Sequence, residues 1–361
     1  MNTAPVSRES ASRTPGPGVS VVIPVKNGAS WIERVLDAIY AQRENPLEVI
    51  AVDDGSTDGS REILVRHAAH GRLVLLEGER RGAAAAINKG VRAGAHPFVA
   101  QIDQDVVIEA NWVRRLVDRL RDPSVAAAQG QYVCAPDADV WSRVMALDLR
   151  QRYRALGQWA NHVCTGNTVY RKAALLEVGL FDETLGYGYD NDMSYRLAEA
   201  GWRLAFCREA TSVHNWREGM AAYSRQQYGF GYGRLDVIAK HPGRIAGDDV
   251  SGPGMMAHAP LTGGALLLGA AALGLSASGL PAAWPATASA AILAALAAER
   301  TSAGVRAAVS FDDPAGYWYA PVHLVRNVAW AAAIAVWSVR RLGGATPAPS
   351  DSMPSRPVVR D

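Results

Sequence analysis

Cysteine is scarce: Cys134, Cys164 and Cys207 are the only three, odd in number and widely spaced. That argues against a disulfide framework and suits a reduced, cytosolic catalytic part. No Cys/His spacing resembles a zinc site. An excess of one charge sign is also missing, with 37 Lys and Arg against 35 Asp and Glu, a formal net charge of +2. A nucleic-acid partner would ordinarily demand a basic surplus, so none is expected. The N-terminus lacks the apolar core of a signal peptide. Residues 1–18 are rich in Pro, Ser, Thr and Gly and are expected to be a disordered leader.

What is present is enough for a substantial core. Hydrophobic residues make up 49% of 361 positions, room for one large domain or two smaller ones. Val19–Ile23 is a short β-branched run that reads as a buried first strand of a parallel sheet, with Pro24 ending it. Apolar residues Trp31, Ile32, Val35, Leu36, Ile39 and Tyr40 then form a helical stripe, with Ser30 and Glu33 as a capping-box signature. Asn45-Pro46 breaks the chain, and Leu47–Val52 reads as a second strand. It runs into Asp53-Asp54-Gly55-Ser56-Thr57-Asp58-Gly59-Ser60, where glycines allow a tight turn and Asp58 or Ser60 can cap a helix. An acid just past a strand can accept hydrogen bonds from a nucleotide base or ribose, although turn chemistry alone also favours Asp and Gly.

A strand over Leu73–Leu76 and a helix over Ala83–Ala93 lead to the apolar run Phe98-Val99-Ala100. Strand–helix alternation at this spacing implies right-handed βαβ units and a parallel sheet. At the end of that run stands Gln101-Ile102-Asp103-Gln104-Asp105, before a helix expected over Asn111–Arg121. Acids at the carboxyl edge of a strand face the crevice where open α/β sheets bind ligands. An Asp-x-Asp pair there suits a divalent cation that keeps positions for water and phosphate oxygens; a solvated surface loop would show the same two acids.

The strings VSVVIPVKNG, VDDGSTDGS, NKG and QIDQD occur in the order and approximate spacing of the family 2 glycosyltransferases, and the chain resembles that family. The resemblance implies an α/β, GT-A (Rossmann-like) mostly parallel sheet over residues 19–245 and use of a nucleotide-sugar donor. By position it implicates Pro24, Val25, Asn27, Asp53 and Asp54 in holding the nucleoside, with Asp54 on the base. It places Mg²⁺ or Mn²⁺ on Asp103 and Asp105, against the donor diphosphate.

Further on, a strand is expected within 125–133 and a helix over Val140–Leu156. Cys164–Arg171 resembles the family segment bordering donor sugar and acceptor, which implicates Gly166 and Asn167. Gly186–Leu197 looks like the family's Glu-Asp-x-Asp stretch at a helix start, making Asp190 the implied general base. Its first acid is replaced by Tyr189, leaving Tyr189 and Asp192 as acceptor-side candidates. A helix N-terminus favours a charged carboxylate, so burial near the acceptor must offset that for proton transfer near neutral pH. His214, after a strand over Trp202–Cys207, matches a position where many family members place a metal- or diphosphate-contacting histidine. The aromatic and basic stretch Arg225–Arg234 resembles the membrane-anchored exopolysaccharide transferases of the succinoglycan type. The Gln-x-x-Arg-Trp motif of processive synthases is absent, which favours one sugar per encounter.

Positions 250–298 contain no Asp, Glu, Lys or Arg. A bilayer-spanning helix needs roughly 20 apolar residues, so this stretch is expected to be a transmembrane hairpin within 250–300. Ala257–Ala277 and Ala282–Ala298 are its two spans, with the turn near Ser276, Ser278, Gly279 and Pro281. Basic residues flank the pair: Arg234, Lys240 and Arg244 before it, Arg300 and Arg306 after it. That asymmetry puts the catalytic part in the cytoplasm of a multi-pass cell-membrane protein. Within 301–342, Tyr317–Val339 reads as an interfacial helix or a third span interrupted by Arg326, the interfacial form being preferred. Residues 343–361 read as a disordered tail. The expected partners are a nucleotide-sugar donor, a polyprenyl-linked or polysaccharide acceptor, and membrane lipid. The competing reading is a catalytically silent membrane scaffold that binds sugar nucleotide or polysaccharide.

Overall fold

The structure is a computed structural model, and it describes residues 17–42 and 47–343. The expected leader (but for 17–18), the Asn45-Pro46 break and the tail beyond 343 lie outside the described residues. In chain order the strands are β1 (Val19–Val25), β2 (Leu47–Asp53), β3 (Val74–Glu77), β4 (Phe98–Ile102), β5 (Val106–Ile108), β6 (Val125–Cys134), β7 (Trp159–Ala160), β8 (Asn167–Arg171) and β9 (Arg203–His214). The helices of the sheet domain are α1 (Ile32–Tyr40), α2 (Ser60–Ala69), α3 (Ala83–Ala93), α4 (Trp112–Arg119), α5 (Val140–Tyr153), α6 (Lys172–Glu177), α7 (Tyr189–Glu199) and α8 (Met220–Lys240). Then follow α9 (Pro253–Ala277), α10 (Ala283–Phe311) and α11 (Tyr319–Leu342).

The strands form one mixed sheet in the order β3-β2-β1-β4-β8-β6-β9-β5, with β7 beside β9. Its first half, β3-β2-β1-β4, is wholly parallel. Beyond β4 the sheet is mixed: β8 runs antiparallel to both neighbours, and β6 pairs parallel with β9. Side chains alternate across β1, as period-two geometry requires. Val21 and Ile23 join α1, α2 and α4 in one core layer, while Val22 joins α3, α6 and α7 in the other. The strand order reverses between β1 and β4, and at such a switch point the loops part to leave a crevice at the carboxyl ends of the strands. The β1–α1 loop and the Asp103–Asp105 turn border that crevice.

Several boundaries differ from expectation. β1 continues through Pro24 to Val25, where Pro24 stands opposite Val52; a proline at a strand's last turn of pairing gives up few ladder bonds. The Ser30–Glu33 capping box does not form. Trp31 is the cap residue, and Glu33 instead pairs with Arg66 at 2.8 Å and His67 at 3.1 Å on α2. The strand expected to stop at Cys207 runs on to His214, because β9 pairs along the whole of β6 through a register shift.

Helices α8, α10 and α11 pack against α5 through Val144, Leu147, Tyr223, Ala303, Ala307 and Tyr319. Helices α9 and α10 form a hairpin whose turn is closed by Leu280 N–H on the Leu275 carbonyl at 2.9 Å, with Gly279 at φ +71°. A left-handed residue just past a helix end is where glycine costs least. The helix Pro253–Ala277 and the continuous helical stretch Pro314–Leu342 are each long and apolar enough to cross a membrane, whereas α10, which carries the expected second span Ala282–Ala298 and runs on through Glu299, Arg300 and Arg306, is not among them. Helix α11 lies along α8, tied to it by Trp330 to Gln227 at 3.2 Å and by Trp337 to Asp236 at 2.8 Å.

Candidate active site

The crevice opens into a cavity of about 430 Å³ that Pro24, Val25, Asn27, Asp54, Asp103, Asp105, Tyr189, Asp190 and His214 all line. Two loops build its first wall. Asn27 accepts a hydrogen bond from Thr57 N–H at 2.7 Å and donates its own N–H to Ser56 at 3.0 Å. Asp58 accepts from Ala29 N–H at 3.0 Å, and Ser60 from Gly28 N–H at 2.8 Å. The Asp-Gly-rich turn is therefore stapled to the first loop. Asp53 and Asp54 diverge on leaving β2. Asp53 is buried away from the cavity, with its oxygens taken by Ser56 N–H at 3.0 Å and Arg61 at 3.1 Å. Asp54 turns inward: Oδ2 accepts from Gly82 N–H at 2.9 Å, and Oδ1 is buried with no hydrogen-bond partner among the described residues. Of the two acids, only Asp54 can address a ligand.

The Asp103–Asp105 turn is held from three sides. Gln101 donates to Asp103 Oδ1 at 2.8 Å. Gln104 bridges to the first loop, accepting from Lys26 N–H at 2.7 Å and donating to Lys26 O at 3.0 Å. Asp105 O accepts both the main-chain and side-chain N–H of Asn215, at 3.1 and 3.0 Å. The short strand β5 pairs antiparallel with the end of β9, Val106 opposite His214. That register brings ligand atoms of Asp103, Asp105 and His214 within 4.8 Å of one another. Two carboxylates and an imidazole at this spacing can hold a hard or borderline divalent cation. Burial, then the facing Asp105 carboxylate, push the Asp103 carboxyl up to about 7, with Asp190 adding in the same direction against Gln101 and Arg217.

Asp190 stands in the first turn of α7. Its Oδ1 accepts the Asn191 N–H at 2.9 Å, and Ser194 Oγ donates to its main-chain carbonyl at 2.7 Å. Burial raises its carboxyl above the ordinary range; His162 and the local N–H groups oppose that only in part. Tyr189 packs edge-on against Phe181, at 6.0 Å between ring centres, on the same cavity wall.

Besides Asp53, three expected site residues face elsewhere. Gly166 does not line the cavity but supports it: a Cβ there would lie 2.3 Å from Asp103 Oδ2, and its φ is +97°. Asn167 is fully buried, its Oδ1 accepting from Trp112 Nε1 at 2.7 Å, so it fastens β8 to α4 and meets no acceptor. Asp192 is also fully buried, behind α7, held by Arg196 at 2.8 Å, Lys240 at 2.7 Å and His241 at 2.9 Å. It locks the end of α8. Sequence reasoning missed Gln101 and Gln104, which hold the Asp-x-Asp turn, and His162, Arg152 and Arg326, which line the cavity's far end. The two glutamines carried a signal, since both flank the acids; His162 stands just before the Cys164–Arg171 segment, and Arg152 and Arg326 lie far from any motif.

Residues 20–179 match the model of "Glycosyl transferase family 2". The chain is 31% identical over 255 residues to a pre-mycofactocin glycosyltransferase of Mycobacterium tuberculosis, covering 66% of this chain and 51% of that protein. It thus spans about half the length of that relative. It is 29% identical over 265 residues to the succinoglycan biosynthesis protein ExoA of Rhizobium meliloti, covering 68% of this chain and 77% of that one. A mannosyltransferase of Pyrobaculum calidifontis, solved with GDP-mannose and Mn²⁺, superposes with a TM-score of 0.58 at 24% identity, covering 91% of this chain and 88% of that one. That likeness establishes the fold. The chain carries a glycosyl transferase family 2 domain in a GT-A fold.

Proposed function

We propose that the protein is an inverting, nucleotide-sugar-dependent hexosyltransferase anchored to the cell membrane, adding one sugar per encounter to a lipid-linked or cell-surface polysaccharide acceptor. The observation that carries this reading is the convergence of Asp54, Asp103, Asp105, His214 and Asp190 on one cavity. Pro24, Val25, Asn27 and Asp54 hold the nucleoside, Asp54 Oδ1 accepting an N–H of the base. Asp103, Asp105 and His214 would hold Mg²⁺ or Mn²⁺, and their crowded carboxylates suit it. When bound, that cation neutralises the charge that grows on the departing diphosphate. Asp190 takes the proton from an acceptor hydroxyl. The freed oxygen attacks the anomeric carbon from the face opposite the nucleoside diphosphate, so the new C–O bond forms as the old one breaks and the configuration inverts. The raised pKa of Asp190 brings its basicity toward neutral pH.

The anchor is the α9–α10 hairpin, whose outer surface exposes Leu266, Leu267, Leu273 and Trp284. At 25 residues, α9 reaches roughly 38 Å at 1.5 Å per residue, enough for the apolar core of a bilayer. Helix α11, fastened along α8, lies at the interface. The basic flanks keep the catalytic domain on the cytoplasmic side.

The test is release of nucleoside diphosphate by the purified full chain in Mn²⁺, across a panel of nucleotide sugars with extracted membrane lipids. One donor giving lipid-dependent release supports the reading. Binding of a donor without release under any acceptor would point to a silent sugar-nucleotide scaffold, a reading that Tyr189, standing where the family has an acid, favours.

A further inference from the structure

We propose that the inner end of the cavity, walled by Arg152, Arg234 and Arg326, binds the phosphate or diphosphate of a membrane-borne acceptor. The inference rests on the glycosyltransferase reading and narrows its acceptor to a phosphate-ester lipid.

The cavity does not end at Asp190. It continues between α5, α8, α9 and α11, where the three arginines line it together with Met255, Phe230 and Trp330. Asp190 belongs to both ends, its charge acting on Asp103 on one side and feeling His162 and Arg234 on the other. The inner end holds more positive than negative charge. Arg152 at 3.2 Å, Arg326 at 3.6 Å and Arg300 at 3.9 Å converge on one carboxylate, Asp148. Arg300 also pairs with Glu299. Arg234 at 3.2 Å shares Asp248 with His162 at 3.4 Å. Burial would lower the His162 pKa, but Asp248 outweighs it and pushes the imidazole up to about 10. Five cationic groups therefore stand against four carboxylates, Asp148, Glu299, Asp248 and the shared Asp190.

Such a surplus is costly to bury without a counter-charge. Arg326 is 5% and Arg234 8% exposed. Apart from Asp148, the bonds of Arg326 among the described residues are long, 3.3 Å to His258 Nδ1 and 3.3 Å to Asn327 Oδ1. Guanidinium forks match phosphate oxygens in geometry as well as charge. The surroundings select a lipid as the source of the phosphate. Met255 sits in the first turn of α9, and the same helix goes on to expose Leu266, Leu267 and Leu273. A headgroup held by the arginines would leave its chain along that apolar surface and present its sugar hydroxyl toward Asp190.

The test uses the full chain in nanodiscs with EDTA throughout, so that the Asp103–Asp105 end has no cation with which to hold a diphosphate. Calorimetric binding is measured for farnesyl diphosphate, farnesol and inorganic pyrophosphate, with empty nanodiscs as the partition control. Farnesyl diphosphate should bind the parent, and Arg152→Gln and Arg326→Gln should each weaken it about tenfold or more. Arg326→Lys, which keeps the charge, should lose less. Nucleoside diphosphate binding in Mn²⁺, measured on the same preparations, should be unchanged and reports that each variant is folded. Its absence in the parent would count against the donor-site reading alone. Equal farnesyl diphosphate affinity in the parent and the glutamine variants overturns the proposal, as does farnesol binding as tightly as the diphosphate. Inorganic pyrophosphate matching farnesyl diphosphate would assign the site to free phosphate and overturn the lipid source. Should Arg326→Gln not fold, Arg152→Gln, whose guanidinium is more exposed, decides the question alone.

Discussion

His214 Nε2 lies 3.9 Å from Asp105 Oδ1 because Val106 and His214 are paired across β5 and β9. A strand of three residues thus sets the distance between two groups more than a hundred positions apart. If the pair holds a cation with Asp103, His214→Ala should weaken Mn²⁺ binding in the presence of nucleoside diphosphate by roughly 10- to 100-fold. Asp103→Asn should weaken it further. Electron paramagnetic resonance titration of Mn²⁺ reads both, and equal affinity in all three proteins would remove the metal assignment.

Gly166→Ala is expected to damage the same centre from behind. The added methyl would meet Asp103 Oδ2 at 2.3 Å in a backbone with φ +97°. Together these should cost about 1–3 kcal/mol of stability and reduce Mn²⁺ affinity. Gly157→Ala, with nothing within 4 Å of the new Cβ, is the control. Chemical denaturation and the Mn²⁺ titration measure the two effects separately.

Asp53 and Asp54 are adjacent in sequence yet should behave oppositely. Asp54→Asn replaces an acceptor aimed into the cavity and should weaken nucleoside diphosphate binding about tenfold. Asp53→Asn breaks the pair with Arg61 and the turn, and should lower the melting temperature with little change in donor affinity. Calorimetric titration and thermal unfolding of both variants check the contrast.

Asp192→Asn should act on stability alone. The fully buried carboxylate is held below the usual range because Lys240, His241 and Arg196 together outweigh its burial. Losing its charge strands the Lys240 and Arg196 cations, at a cost of about 3–5 kcal/mol. Since a depressed carboxylate stabilises above its unfolded pKa, the gap between parent and variant should narrow as pH falls below about 4. A variant of parental stability but raised KM for acceptor would restore Asp192 to the site.

The fold was legible because its signals are local. Val19–Ile23 and Leu47–Val52 are β-branched runs followed by helical stripes, and such alternation admits few topologies. Asp54, Asp103, Asp105 and Asp190 were legible because each sits at the end of a strand or the start of a helix. Asn167 and Asp192 were misplaced for a related reason: one residue's shift along a strand, or two along a helix, turns a side chain to the opposite face. No spacing distinguishes Asp190, facing the cavity, from Asp192, facing α8. The arginine-lined inner end was invisible, since Arg152 and Arg326 come from distant helices and share only their nearness to Asp148.

The most direct measurement is single-turnover sugar transfer by the parent and Asp190→Asn across pH, with donor affinity measured alongside. Asp190 must be ionised to accept a proton, and its pKa is raised. The parent rate should therefore climb with pH on an acid limb lying above the ordinary aspartate value of about 3.8–3.9. Asp190→Asn should keep donor binding, lose at least about a hundredfold in rate, and show no such limb. A variant that transfers sugar at near-parental rate with the same acid limb would contradict the account at its centre.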